Sequence, residues 1–188
     1  MHVTIEISPR HIHLSREHLE LLFGYGYTLT PRKTLPQFSQ TICAEQLTVI
    51  GPRGSMRADI VAPLREQTQV ELAMSDAAAL GIRAPIRVGG DLAGSGSCML
   101  VGPCGEVELA EGVIVAKRHL HLTPEDAAAL GVRQGQAVRV AVQTEERSLV
   151  FGDVVARVSP GSVTCCHLDT DEANAAGITD DWEGEILL

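Results

Sequence analysis

One six-residue phrase occurs twice and constrains most of what this chain can fold into. Arg10-His11-Ile12-His13-Leu14-Ser15 and Arg118-His119-Leu120-His121-Leu122-Thr123 match position for position. Each follows a run rich in β-branched residues, 3–7 in one case and 113–116 in the other, which reads as a strand. If the strand continues through the histidines, His119 and His121 point to one face, their roots roughly 7 Å apart at ~3.3 Å per residue, and Leu120 to the other. Ser15 and Thr123 are N-cap residues. After Thr123, Pro124 suits the first helical position, and Glu125 and Asp126 suit the positive end of the helix dipole. The phrase therefore delivers two imidazoles at a strand end, just before a helix. Four of the seven histidines lie in its two copies. Duplication for folding alone does not explain why both copies keep both histidines, because burying imidazole without a partner is costly. Convergence on a metal or an anion does.

Composition limits the partners. A net charge of −9 argues against a nucleic-acid surface and means that an anionic substrate must be held by local cations. No apolar run approaches the ~20 residues that span a bilayer, and the N-terminus lacks a basic segment followed by an apolar one. With aromatics at 3%, the core must be aliphatic. Five cysteines (Cys43, Cys98, Cys104, Cys165 and Cys166) without Cys-x-x-Cys spacing fit free thiols in a reducing cytosol rather than a structural zinc knuckle. Cys165 would share a strand face with His167. It is a reserve metal ligand or, as expected here, a small buried apolar residue.

Turn signals recur throughout. The first helix runs over 15–23 and stops at Gly24-Tyr25-Gly26. Residues 28–45 read as a loop containing Pro31, Arg32, Lys33 and Pro36. Strands are expected over 47–50, 56–61 and 67–74, then a helix capped by Ser75 and ended by Gly81. A hairpin over 98–101 and 106–109 leads to the second histidine phrase and a helix to Leu130. Strands over 137–142, 148–151, 154–158 and 163–167 precede a last helix, capped at Asp169 or Thr170 and ended by Gly177. So many short strands predict a barrel or sandwich. The two halves are alike, which suits two small β-barrels with short capping helices, mainly β within the α+β class.

Four strand-to-helix junctions carry unusual polar residues: His11/His13, Glu71, His119/His121 and His167. Glu71 is either a ligand or a surface residue on its strand. Gathered together, five imidazoles and one carboxylate suit zinc or a similar borderline metal. Two tetrahedral ions want eight ligands and the chain supplies six, so positions stay open, as in catalytic sites. Arg65 reads either as an oxyanion clamp, its fork matching phosphate or carboxylate, or as an ion-pair partner of Glu66 or Glu71.

These segments resemble the PduL-type phosphate acyltransferases, the phosphate propanoyltransferases of bacterial microcompartments. The matching stretches are Ser8-Pro9-Arg10-His11-Ile12-His13-Leu14-Ser15, Gly51-Pro52-Arg53-Gly54, Thr68-Gln69-Val70-Glu71, Ser75-Asp76-Ala77, Arg118-His119-Leu120-His121 and His167-Leu168-Asp169-Thr170-Asp171-Glu172-Ala173-Asn174-Ala175-Ala176. They span nearly the whole chain. The resemblance implies one barrel from residues 1–9 plus 118–188 and another from 10–117, with a two-zinc site at their interface. It implies that His11 and His13 hold one ion, completed by the coenzyme A sulfur, and that Glu71, His119, His121 and His167 hold the other. Arg65 would bind phosphate, and Ser8, Lys33 and Asn174 would contact coenzyme A. Where the family is expected to carry a further arginine this chain has Asp59, with Arg57 nearby to take that contact.

The implied reaction converts acyl-CoA and phosphate reversibly to acyl phosphate and coenzyme A, by direct transfer with a zinc-stabilised thiolate. Acetyl and propanoyl chains differ by too little for sequence to choose. A zinc metallohydrolase acting on a small anionic substrate, or a non-catalytic zinc protein, would use the same ligands. Composition leaves no membrane or nucleic-acid partner expected, and the resemblance leaves a homo-oligomer open. Members bound for a microcompartment lumen often carry an N-terminal targeting helix; because this sequence begins almost at its first strand, either a free cytosolic form or a trimmed one is expected, with association to a microcompartment lumen as the alternative.

Overall fold

The computed structural model describes residues 1–35, 40–179 and 181–188. In chain order its elements are β1 (His2–Ser8), β2 (His11–His13), α1 (Arg16–Phe23), β3 (Pro31–Thr34), β4 (Thr41–Gly51), β5 (Gly54–Ala62), β6 (Gln69–Leu72), α2 (Met74–Leu80), β7 (Ile86–Arg87), β8 (Gly96–Val101) and β9 (Glu106–Ala116). Then come β10 (His119–Leu122), α3 (Pro124–Leu130), β11 (Ala137–Val142), β12 (Leu149–Val158), β13 (Cys165–Asp169), α4 (Thr170–Ala176) and β14 (Trp182–Leu187).

The chain divides into two compact units, Met1–Pro9 with Lys117–Leu188, and Arg10–Ala116. The first is a closed barrel in the order β1-β13-β10-β12-β11-β14. In the second, pairing runs β4-β5-β2-β6-β9-β8 and returns from β8 to β4, which closes a second six-stranded barrel. β3 extends it beside β4, and β7 lies along β9. Each barrel has its own aliphatic core.

The two barrels repeat one ladder. In the Arg10–Ala116 unit, β5–β2 is parallel, β2–β6 antiparallel and β6–β9 parallel, and the remaining three pairs are antiparallel. In the other unit β12–β10, β10–β13 and β13–β1 follow the same sequence, again with three antiparallel pairs to close. The counterpart of β9 is therefore β1. Each repeat begins with a strand that closes the other repeat's barrel: β1 precedes β2 in the chain yet pairs with β13, and β9 precedes β10 yet pairs with β6. This corrects one expectation. The strand before the second histidine phrase does not continue through it but breaks at Lys117 and Arg118, because β9 and β10 belong to different units.

The phrase itself now has a physical account. Ile12 and Leu14, like Leu120 and Leu122, are fully buried in the barrel cores. Ser15 and Thr123 cap α1 and α3 by accepting from the amides of His18 and Asp126. The arginines tie each phrase to a helix of its own barrel. Arg10 donates from Nε and Nη2 to the two carboxylate oxygens of Asp76 at 3.0 and 2.8 Å. Arg118 Nη1 donates to Glu172 Oε1 at 2.7 Å. Asp76 and Glu172 occupy the same position in α2 and α4, the third residue of each.

Several expected boundaries move. Residues 28–45 are not all loop: β3 and the start of β4 pair there, with Pro31 at the first position of an edge strand, where a missing N–H is harmless. Pro36 lies outside the described residues. The strand expected over 67–74 is only β6, and α2 starts at Met74 behind Ala73, which makes no side-chain cap, so Ser75 is inside the helix. The strands expected over 148–151 and 154–158 are one strand, β12. Asp153, at φ 52°, absorbs the irregularity that reads as a turn in the sequence. β7 and β14 carry weak strand signals and were not expected. Among the described residues no helix is long and apolar enough to cross a membrane.

Candidate active site

The four helices share one entry. His13-Leu14 precedes the cap at Ser15, Glu71-Leu72 precedes Ala73, His121-Leu122 precedes Thr123, and His167-Leu168 precedes Asp169. The alternation of a strand explains it. The leucine turns into the barrel and is buried in all four cases, so the residue before it must face outward. Each junction thus ends a strand with one outward polar side chain, held between a packed leucine and a helix start.

In the Arg10–Ala116 barrel, β2 and β6 pair with His11 opposite Glu71 and His13 opposite Gln69. The carboxylate oxygens of Glu71 lie 3.6 Å from His11 Nε2 and 3.8 Å from His13 Nε2. His13 Nδ1 donates to the carbonyl of Val61 at 3.0 Å, which fixes the tautomer and leaves the Nε2 lone pair facing inward to the cluster. Burial pushes the His13 imidazole down to about 3, helped by the positive charges of His11 and Arg65, so it is neutral at pH 7. Burial pushes the Glu71 carboxyl up, but the charge and hydrogen bond of His11, with the Arg65 guanidinium, outweigh it and hold Glu71 well below the usual carboxylate range. A neutral imidazole and an ionised carboxylate are the forms that bind a metal. Two donors on one tetrahedral zinc at 2.0–2.1 Å are about 3.3 Å apart, and the three donor atoms here, all within 4.8 Å of one another, fit such an ion.

Arg65 also lies against this cluster. The chain turns between the end of β5 and the start of β6, and the Arg65 amide donates to the carbonyl of Leu14 at 2.9 Å, pinning the turn to the end of β2. Its Nη2 donates to His13 Nε2 at 2.8 Å. Two neighbours were not foreseen. Gln69 donates to Glu71 Oε1 and accepts from the Gly90 amide at 2.7 Å, tying the 88–91 turn to the site. Gly89 leaves space beside it: a Cβ there would stand 3.6 Å from Glu71 Oε1 and 3.8 Å from Arg65 Nη1. Both lie one strand step or one turn from residues already singled out. The missing signal was the cross-strand register.

In the other barrel the rings of His119, His121 and His167 stand at the corners of a near-equilateral triangle, with centroids 4.8, 4.8 and 4.9 Å apart. His119 Nδ1 donates to the carbonyl of Lys117 at 2.9 Å, and its Nε2 lies 3.1 Å from His121 Nε2. Burial, with the charges of His119 and His167, pushes His121 down to about 2, again a neutral ligand form. These three nitrogens also could hold one ion. The resemblance groups Glu71 with them; within its own barrel its oxygens approach His11 and His13.

The remaining residues of interest fall on the same two scaffolds. Lys33 on β3 and Arg57 on β5 are exposed. Asp59, opposite His11 on β5, accepts from Arg32 Nη2 at 2.8 Å and Gln46 Nε2 at 2.6 Å, so a guanidinium does stand beside it, and it belongs to Arg32. Ser8, half-buried, ends β1 opposite Asp169, and Asn174 is exposed on α4. Cys165 is buried on β13, two residues before His167.

A family model described as phosphate propanoyltransferase matches residues 4–179. The phosphate propanoyltransferase of Listeria monocytogenes is 44% identical over 98% of this chain and 87% of its own length. That of Thermotoga maritima is 45% identical over 93% of this chain and 83% of its own, and that of Salmonella typhimurium 44% over 93% and 83%.

Proposed function

This chain belongs to the phosphate propanoyltransferase family, and from that premise we propose a zinc-dependent enzyme that interconverts a short acyl-CoA plus phosphate with acyl phosphate plus coenzyme A. The observation that supports it best is the cluster of His11, His13 and Glu71 with a guanidinium against it, Arg65 Nη2 lying 2.8 Å from His13 Nε2. A cation-binding donor set beside a fixed fork suits a thioester and a phosphate dianion brought to one place.

In this reading two zinc ions bind per chain, one at His11, His13 and Glu71 and one at His119, His121 and His167. When bound, they supply Lewis acidity that lowers the energy of the leaving thiolate. Arg65 holds phosphate by paired charge-assisted hydrogen bonds, aims one oxygen at the thioester carbonyl and offsets negative charge as it builds. The carbon–oxygen bond forms as the carbon–sulfur bond breaks, without an acyl-enzyme. The His13 Nδ1 bond to Val61 and the Gln69 bond to Glu71 keep the donors oriented. Ser8, Lys33, Asn174 and one of Arg57 and Arg32 contact coenzyme A. Homo-oligomerisation and a place in the cytoplasm or a microcompartment lumen belong to the same reading and rest on the family.

The test is thiol release from acetyl-CoA and propanoyl-CoA with and without phosphate, beside elemental analysis of protein purified without chelator. Phosphate-dependent release with about two zinc ions per chain is expected. Phosphate-independent thioester cleavage would mark a hydrolase instead, and no turnover with metal fully loaded would mark a non-catalytic zinc protein.

A further inference from the structure

We infer that Glu6 is a metal-ligating carboxylate of the His119, His121 and His167 cluster, so that this barrel binds its ion with donors drawn from its own strands. The inference deepens the two-ion reading and rests on it.

Three adjacent strands carry the argument. β1 runs parallel to β13 with Glu6 opposite His167, and β10 runs antiparallel on the far side of β13 with His119 opposite His167. Residues directly opposite one another share a face, so Glu6, His167 and His119 form one row across the barrel wall. The next row on β10 and β13 is His121 opposite Cys165. Ile5, Leu120, Cys166 and Leu168 alternate with these residues and fill the core, so the polar set faces outward. Glu6 Oε2 lies 2.8 Å from His167 Nε2.

A carboxylate aimed at the ring nitrogen that would bind a metal is either a ligand or a partner that merely orients the ring. Which nitrogen it meets separates the two. An orienting partner takes the nitrogen turned away from the ion, as the Lys117 carbonyl does at His119 Nδ1. Glu6 instead meets His167 Nε2 at 2.8 Å; Glu6, Cys165 and His167 bring ligand atoms within 4.8 Å of one another, as His119, His121 and His167 do, so His167 is the donor that joins Glu6 to the imidazole set. Three neutral imidazoles alone leave the full charge of a divalent ion uncompensated, and one carboxylate halves it. Across the equivalent three strands the sibling barrel also has one carboxylate, but elsewhere. There the row reads His11, Glu71, Ile114, so the centre strand carries the acid and the position equivalent to Glu6 is an aliphatic residue. Across these three strands each barrel has one acid, placed on a different strand; the further acid opposite His11, Asp59 on β5, is taken up by Arg32 and Gln46.

The experiment uses the full chain, stripped of metal and titrated with Co²⁺ against a chromophoric chelator, with the d–d absorption of the bound cobalt recorded. Wild type, Glu6→Gln and Glu71→Gln are compared; the glutamine is isosteric and keeps a hydrogen bond to His167. Wild type is expected to take up about two ions. Glu6→Gln should weaken one of them at least about tenfold and change the shape and intensity of its d–d bands, leaving the other unchanged. Glu71→Gln should alter the complementary ion. Identical affinity and spectrum in Glu6→Gln would overturn the inference, as would weaker binding with an unchanged spectrum, the mark of a positioning residue. A thiolate-to-cobalt band lost in Cys165→Ala, with Glu6→Gln silent, would make Cys165 the donor instead. If wild type binds no cobalt or zinc at all, the two-ion reading itself falls, a result separable from a silent Glu6 variant of a metal-binding protein.

Discussion

Removing the arginine of the second histidine phrase tests whether the phrase is a structural clamp as well as a ligand carrier. Arg118 Nη1 donates to Glu172 Oε1 at 2.7 Å, with the two side chains 30% and 18% exposed. Its Nε donates to the carbonyl of Gly152 at 2.6 Å, and its guanidinium carbon stands 5.8 Å from the Phe151 ring centre. Two hydrogen bonds involving a charged group are worth about 1.5–3 kcal/mol each. Solvent screens part of that at this exposure, so Arg118→Ala should cost about 2–4 kcal/mol. Glu172 adds leverage. Its other oxygen accepts from the Asp169 amide in the capping box of α4, and burial already pushes its carboxyl up against the pull of Asp169 and Arg118. The assay is urea unfolding of wild type, Arg118→Ala, Glu172→Gln and the double variant, with metal content measured on the same samples. A coupling energy of about 1–2 kcal/mol is expected, within the range of residues in contact, with Arg118→Lys recovering only part because it lacks the fork. A loss below about 1 kcal/mol with no coupling would refute the clamp.

Arg65→Ala should leave zinc content near normal while raising the phosphate requirement or lowering turnover by about a hundredfold or more, the loss of two charge-assisted bonds; unchanged phosphate kinetics with an earlier melt would reduce Arg65 to a structural partner. Of the five thiols only Cys104 is exposed, so a thiol reagent should titrate about one group in the native protein and all of them after unfolding; fast reaction of more than one would contradict the buried placements. Burial pushes the Cys98 thiol from 9.0 up to about 12 and raises Cys166 as well. Above pH 9 the unfolded chain therefore sheds protons that the folded one keeps, and stability should fall with rising pH by about 1.4 kcal/mol per unit for each thiol. Urea midpoints at pH 8.5 and 10 for wild type and the Cys98→Ala, Cys166→Ala double variant check it, and equal slopes would sink the reasoning.

What was legible in the sequence was local. The paired histidines, the caps at Ser15 and Thr123, and the Asp169 box with Glu172 all depend on residues within a few positions of one another. The barrels were legible from the density of turns. What was not legible depends on register between distant strands. No local feature says that β1 pairs with β13, or that β9 leaves its own repeat, because both are parallel pairings of strands far apart in the chain. Glu6 and Gln69 were passed over for that reason: each becomes a site residue only when a neighbouring strand brings an imidazole opposite or beside it. The helix after Glu71 was misplaced because Ala73 offers no cap to read. A clue did exist there, since all four junctions share a polar residue, a leucine and then the cap position, and the leucine locates the cap even where the cap residue is silent.

The exchanged first strands also bear on how two copies of one scaffold could come to do different work. The strands that carry the histidine pairs are nearly identical, so two imidazoles per barrel are built into the repeat. Divergence is concentrated on their neighbours, where Gln69, Glu71 and Ile114 in one barrel stand against Cys165, His167 and Glu6 in the other. With the acid at the centre of its row, Glu71 approaches both imidazoles, at 3.6 and 3.8 Å, and the aliphatic Ile114 at the end of the row adds no donor. That set counts three donors, which leaves a tetrahedral ion a place for an outside ligand. With an imidazole at the centre and the acid at the end, the other set counts four on the assignment of Glu6, which fills a tetrahedral ion. The three-donor set is also the one with Arg65 against it, 2.8 Å from His13. In the proposed reading, an ion with an open position beside Arg65 would suit the reacting groups, and a closed one would suit holding charge and shape. The replacement that separates them falls on β9 and β1, the two strands that each repeat gives to the other.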